Sequence, residues 1–233
     1  MCRVLFPLRC PACRKIMDGD VSSFCGDCLN KLPRTENRDE EFGSFGKAGR
    51  CVPFFAATFY YEGIFRKAFV KFKFRNNSAY AHAFALEMAK TWLRAMNRRA
   101  DGDSLRPDII TWIPVSDKRR KDRGYDQSEL LARDVGELLG VPVCPVLHKT
   151  GDNKVQSTLD AAARAANVIG MYEIRRDAPE ITGKTVLLID DVLTTGATVR
   201  EASFVLDSVR PKQICCLFAA KTDLNRVKKE DNF

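Results

Sequence analysis

No apolar run in this sequence approaches the roughly 20 residues that a membrane-crossing helix needs. The most aromatic stretch, Cys51 to Tyr61, is too short and is interrupted by Pro53 and Thr58. A membrane span is therefore not expected. The opening residues, Met1-Cys2-Arg3-Val4-Leu5-Phe6-Pro7, lack the apolar middle and small-residue cleavage site of a secretion signal and run straight into cysteines, which points to a cytoplasmic protein. No G-x-G-x-x-G is present. Gly183-Lys184-Thr185 is no Walker loop either, because it precedes its strand and Ala178 stands where the first glycine would be. Histidine is scarce: His82 and His148 stand apart from each other and from the cysteines. His82 is expected to pack on a helix, and without an acceptor substrate no proton-transfer role follows for either.

What is present is enough apolar material, 45% of 233 residues, for one main domain with a small appendage. The formal net charge of +8 favours anionic partners, phosphates or nucleic acid, without choosing between them. Nine cysteines are an odd number for a disulfide framework, and no export signal accompanies them.

Four of those cysteines form Cys10-Pro11-Ala12-Cys13 and Cys25-Gly26-Asp27-Cys28, two C-x-x-C pairs separated by 11 residues. Two tight turns at that spacing can present four thiolates, Cys10, Cys13, Cys25 and Cys28, to one tetrahedral zinc. With all four positions filled by protein the zinc would be structural, and so small a segment would depend on it to fold. A redox role for either pair is the alternative, less favoured by two pairs at this separation. Cys2 and Cys51 receive no role; Cys144, Cys215 and Cys216 lie in expected strands and read as buried apolar residues.

By composition the chain divides into a cysteine module at 1–32, a polar, glycine-bearing linker at 33–50, and an α/β region at 51–233. Strands are expected at Phe55 to Tyr61, Ile109 to Val115, Val141 to Leu147, Thr185 to Ile189 and Ile214 to Ala219. Helices are expected at Ile64 to Lys73, Tyr80 to Met96, Ser128 to Leu139 and Thr198 to Val209, the last stopped by Pro211. This alternation predicts a mostly parallel sheet with helices on both faces and ligands at the carboxyl ends of its strands.

The segment Val186 to Thr198 is an apolar run, two acids, then a small hydroxyl-rich turn opening a helix. The run reads as a strand buried on both faces, which delivers Asp190 and Asp191 to the sheet edge. Thr194, Thr195, Gly196, Ala197 and Thr198 carry no bulk, so backbone N–H groups and hydroxyls can close around a phosphate at the helix's positive end. Two carboxylates beside such a pocket repel the phosphate itself; they suit sugar hydroxyls or a divalent cation. A plain strand-end turn with Thr198 as helix cap is the alternative, and the combined pattern argues against it.

Two basic stretches stand out. Lys118-Arg119-Arg120-Lys121-Asp122-Arg123 is expected as a loop after the strand at Ile109, with Arg119, Arg120 and Arg123 facing diphosphate or nucleic acid; a solvated turn is the alternative. Phe65 to Arg75 interleaves cations and aromatics. The spacing of Phe65, Phe69 and Phe72 favours one packed helix face over base stacking, with Arg66, Lys67 and Lys73 left exposed.

The segment at Asp190 resembles the phosphoribosyl-diphosphate (PRPP) motif of type I phosphoribosyltransferases. The wider chain resembles the ComF family, bacterial proteins associated with competence and DNA uptake. The features shared are the two C-x-x-C pairs, the Lys73-Phe74 region, Ile113-Pro114-Val115, Arg123-Gly124-Tyr125-Asp126-Gln127, Lys154-Val155-Gln156, and Arg164 with Asn167. The resemblance implies a type I phosphoribosyltransferase fold behind a four-cysteine zinc module. It implies that Thr194 to Thr198 hold the 5′-phosphate of PRPP, that Asp190 and Asp191 take the ribose hydroxyls as catalytic acids, and that magnesium bridges diphosphate and ribose. It also implies a mobile loop over the site at Lys149 to Asn167, with His148 at its entrance. Two readings stay open: a phosphoribosyltransferase with an unidentified acceptor, or a non-catalytic component of DNA uptake that senses PRPP or binds single-stranded DNA beside helicase or translocation proteins. In one place the chain departs from the family, which has Asn where this sequence has Asp126; an extra carboxylate there implies weaker anion binding.

Overall fold

The computed structural model describes residues 7–17, 23–35, 54–74, 78–98, 105–150 and 170–223. Within these, four strands form one parallel sheet in the order β1-β6-β5-β2: β1 (Phe54–Tyr60), β2 (Ile109–Trp112), β5 (Thr185–Leu193) and β6 (Gln213–Lys221). Between β2 and β5 in sequence, β3 (Leu147–Lys149) and β4 (Tyr172–Ile174) form a separate antiparallel pair.

Alternate residues of each strand enter opposite cores, which is why the strands read as unbroken apolar runs. On one face Phe54, Ala56, Ile110, Leu187, Ile189, Cys215 and Leu217 meet α2 (Gly63–Phe74), α3 (Ala81–Arg98) and α5 (Gln127–Leu139). On the other, Ala57, Val186, Leu188, Cys216 and Phe218 meet α6 (Ala197–Asp207) and the β3–β4 pair. The expected packing of α2 is observed: Phe65, Phe69 and Phe72 are wholly buried. They meet Phe84 of α3 at centroid distances of 5.0–5.6 Å, Phe65 and Phe69 edge-on and Phe72 tilted. Each ring contributes roughly 1.5–3 kcal/mol by burial.

Three expectations are corrected. The basic stretch is a helix, α4 (Asp117–Arg123), rather than a loop; Ser116 caps its start by accepting from the Arg119 N–H, and Gly124, at φ 80°, ends it. The strand expected at 141–147 is reduced to a single parallel bridge of Val143 to Ile110, with β3 beginning at Leu147. Pro142 and Pro145 lack the N–H groups that a longer ladder needs. Gly136 of α5 lets this segment lie close, since a Cβ there would meet Val143 Cγ2 at 2.1 Å. Finally, Lys73 is not left in solvent; it is paired inside the site described below.

The cysteine module, with α1 (Gly26–Lys31), packs on the same core as α2 and α3. Phe24 meets Phe84 edge-on at 5.3 Å. Directly after α1, Arg34 bridges antiparallel to Phe59, and Tyr60 N–H donates to Pro33 at 2.7 Å, so this segment covers the outer edge of β1. Residues 36–53 and 75–77, including Cys51 and Arg75, lie outside the described residues, as do Cys2, Lys154 to Gln156, Arg164 and Asn167. Among the described residues no helix is long and apolar enough to cross a membrane.

Candidate functional site

The site lies at the carboxyl ends of the parallel strands, where doubly covered sheets place their ligands. Strand β5 runs four residues beyond Ile189. Asp190 and Asp191 therefore sit on hydrogen-bonded strand rather than on a loop: Asp190 is in register with Phe218, and Val192 with Ala220. The neighbouring β2 ends at Trp112, so β5 continues past the end of its neighbour.

Asp190 Oδ1 accepts from the Ser128 hydroxyl at 3.0 Å and from the Asp191 N–H at 2.8 Å. Burial first, and then the charge of Asp191, push its carboxyl up to about 8. Asp191 Oδ2 takes the Lys73 ammonium at 2.6 Å; the two side chains are only 19% and 17% exposed. The adjacent acids thus face different partners, one a neutral donor and the other a cation.

Asp126 explains how Ser128 reaches Asp190. Its buried carboxylate caps α5, Oδ1 accepting from the N–H groups of Ser128 and Glu129 at 2.9 and 3.2 Å, while Oδ2 accepts from Val115 N–H at 2.9 Å. An asparagine has one acceptor oxygen and could not serve both sides. At the one place where the sequence departs from the family pattern, both carboxylate oxygens of Asp126 are thus taken up by backbone N–H groups. Next to it, the Tyr125 hydroxyl donates to the Phe72 carbonyl, and its ring stacks on Phe72 at 5.9 Å, fastening the end of α2 to the start of α5.

The β5–α6 loop is Thr194-Thr195-Gly196, with Gly196 left-handed at φ 75° as the first cap of α6. A side chain would be strained there. Thr194 and Thr195 are exposed, Gly196 is buried, and Ala197 and Thr198 begin the helix. Arg200, one turn on, donates to the Thr195 carbonyl at 2.5 Å. Its position four residues after Gly196 is the sequence signal, since one helical turn returns it over the loop.

Of the three arginines of α4, Arg120 pairs with Glu129 at 3.1 Å and Arg123 donates to Gln127 at 2.8 Å, both tied to α5. Arg119 is exposed. Its charge is felt at the buried Tyr172 hydroxyl of β4, as is that of Asp190; burial is the main reason that hydroxyl sits well above its ordinary value. Arg120 and Arg123 thus tie α4 to the start of α5, while Arg119 is left exposed. Elsewhere, His82 packs on α3 with Nδ1 3.8 Å from Asp134, and His148 lies on β3.

The four cysteines also meet. The sulfurs of Cys10, Cys13, Cys25 and Cys28 all lie within 4.8 Å of one another, and those of Cys13 and Cys25 are 3.6 Å apart. Tetrahedral zinc with bonds of about 2.3 Å needs sulfurs about 3.8 Å apart, so the set fits. A backbone hydrogen bond at Lys15 is the main cause holding the Cys13 thiol down at about 7, whereas burial raises that of Cys28. Of the other cysteines, Cys215 and Cys216 are buried as expected and Cys144 is partly exposed.

Residues 126–233 match the phosphoribosyl transferase domain family. Competence protein F of Haemophilus influenzae is 28% identical over 109 residues, 46% of this chain and 48% of that protein. Competence protein ComFC of Bacillus subtilis is 27% identical over 197 residues, 83% of this chain and 69% of its own length. DNA utilization protein YhgH of Escherichia coli K12 is 30% identical over 148 residues, 62% and 63%. The match thus spans about half of the Haemophilus protein and just under two thirds of the Escherichia one. Together these comparisons place a phosphoribosyl transferase domain at residues 126–233 and show the chain to be similar to competence and DNA-utilization proteins of the ComF kind, with four clustered cysteines able to form a zinc module.

Proposed function

We propose that this chain binds PRPP at the carboxyl edge of β5. One observation carries the reading: two consecutive, differently partnered carboxylates stand on β5 two residues before a small-residue loop that opens a helix. Thr194, Thr195, Gly196, Ala197 and Thr198 cradle the 5′-phosphate with backbone N–H groups and hydroxyls. Asp190 and Asp191 accept from the ribose hydroxyls, and Arg119, with Arg120 and Arg123 behind it, faces the diphosphate.

Magnesium suits this place because paired carboxylates beside a polyphosphate are hard oxygen donors; Asp190 and Asp191 would lie nearest to it. When bound, it would neutralise charge on the departing diphosphate. If the chain transfers phosphoribosyl, the bond from C1′ to the diphosphate breaks as an acceptor nucleophile arrives, the electron pair leaving with the diphosphate, and the acid pair, with Asp190 deprotonated, stabilises the positive charge left on the sugar. The competence and DNA-utilization names of the relatives suggest a task in DNA uptake within the cytoplasm.

The test is titration calorimetry of PRPP with and without magnesium, on the unsubstituted protein and on Asp190→Asn/Asp191→Asn, with single-stranded DNA as competitor. Binding that needs both acids supports the reading. No binding by the unsubstituted protein removes it.

A second surface favours the nucleic-acid reading. A cavity of about 620 Å³ lies between the cysteine module and α2, lined by Ala12, Ile64 and Val70, by Cys13 and Cys28 of the thiol cluster, and by Lys31, Arg66, Lys67 and Lys71. Apolar walls with a cationic border suit a base and its phosphate. Affinity for single-stranded DNA that falls steeply with salt, and more in Arg66→Glu/Lys67→Glu than in a triple neutralisation of Arg119, Arg120 and Arg123, would locate it there.

A further inference from the structure

The last turn of α2 enters the acid site although the helix belongs to the aromatic core. Lys73 reaches Asp191 at 2.6 Å, with its ammonium 5.3 Å from the Phe69 ring centroid on the other side. Two contacts set the position of this turn. One residue earlier, the Phe72 carbonyl is held by the Tyr125 hydroxyl. Two residues earlier, the Lys71 ammonium donates to Ala12 O at 3.3 Å, in the turn between Cys10 and Cys13.

Adjacent carboxylates repel each other, and an arriving phosphate repels both. A fixed cation on one of them lowers that cost, and an ammonium with three N–H groups keeps donors free for ligand oxygens. We propose that Lys73 is a positioning residue of the sugar-phosphate site: it fixes the Asp191 carboxylate in place and in charge balance, and the tethers on α2 hold it there. The inference rests on the PRPP reading of the same site.

A pair that only stabilised the fold would change melting and leave ligand affinity alone. The experiment is therefore a binding cycle: PRPP and ribose 5-phosphate titrated into the unsubstituted protein, Lys73→Met, Lys73→Arg, Asp191→Asn and the Lys73→Met/Asp191→Asn double variant, each checked for folding by circular dichroism. Expected is a loss of about tenfold or more in Lys73→Met, partial recovery in Lys73→Arg, and a double variant no weaker than Asp191→Asn alone. Native affinity in Lys73→Met, or losses that add in full in the double variant, overturns the inference while leaving the PRPP site standing. Absence of binding by the unsubstituted protein removes the site and the inference together. Should Lys73→Met fail to fold, Lys73→Gln replaces it, and native affinity there overturns the inference in the same way.

Discussion

Ser128 and Asp190, 62 residues apart in sequence, are joined by a 3.0 Å hydrogen bond from the serine hydroxyl to the carboxylate. The same serine has its N–H held by Asp126 at 2.9 Å. One residue thus ties the cap of a helix to the acid of a neighbouring strand, and fold and site share a single joint.

Removing that hydroxyl should reach the ligand more than the fold. A hydrogen bond to a neutral group contributes about 0.5–1.5 kcal/mol net, so Ser128→Ala is expected to weaken PRPP binding by about threefold to tenfold by calorimetry while lowering Tm by only a few degrees. Unchanged affinity would leave Ser128 a cap residue and nothing more.

Asp126 should act on stability instead. Asp126→Ala removes the cap of α5 and leaves the Val115 N–H without its acceptor, a cost of about 2 kcal/mol in urea unfolding. Asp126→Asn should cost less than alanine but more than nothing, because a single oxygen cannot serve Val115 on one side and the helix start on the other. An asparagine variant as stable as the native chain would contradict the two-sided cap.

Stability should fall as pH rises through neutrality. Asp190 in the folded chain keeps its proton to about 8, against about 3.9 when unfolded. Between those values the folded state holds the extra proton, so its advantage is complete below about pH 4 and is lost progressively up to about 8. Asp126 and Asp134, both raised by burial, add in the same direction. Asp190→Asn should therefore flatten the decline of Tm between pH 5 and 8 without abolishing it; parallel curves would show that Asp190 ionises like an ordinary carboxylate.

Elemental analysis of the purified protein should find one zinc per chain. Because Phe24 packs on Phe84, chelation should reduce hydrogen-exchange protection at residues 23–32 and also along the facing turn of α3, with β5 unaffected. Absence of metal together with oxidised C-x-x-C pairs would refute the structural-zinc reading.

Much of this architecture was legible in the sequence where one physical signal dominated. The apolar run before Asp190 marked a doubly buried strand, the C-x-x-C spacing brought four sulfurs together, and Phe65, Phe69 and Phe72 marked the buried face of α2. Signals failed where tertiary contact decided. Lys73 lies beside the exposed positions of its helix, and only the arrival of β5, more than a hundred residues later, gives it a partner. Helix α4 has no buried residue, so it shows no apolar period; its only marks are the terminal Ser116 and Gly124. Asp126 looked like a misplaced charge because its second acceptor role, toward Val115, comes from a separate strand end.

The strand order has a consequence for synthesis on the ribosome. Strand β6 lies between β1 and β5, and the Thr58 hydroxyl bonds to the Phe218 carbonyl across 160 residues at 3.3 Å. Until residues 213–221 have emerged, β1 and β5 have no common neighbour and each exposes an apolar edge of the kind that pairs with other chains. The cysteine turns and the aromatic face of α2 and α3 are local in sequence and can form long before that. The nascent chain is therefore expected to form its amino-terminal helices and cysteine turns first, with the sheet that carries the acid pair closing last.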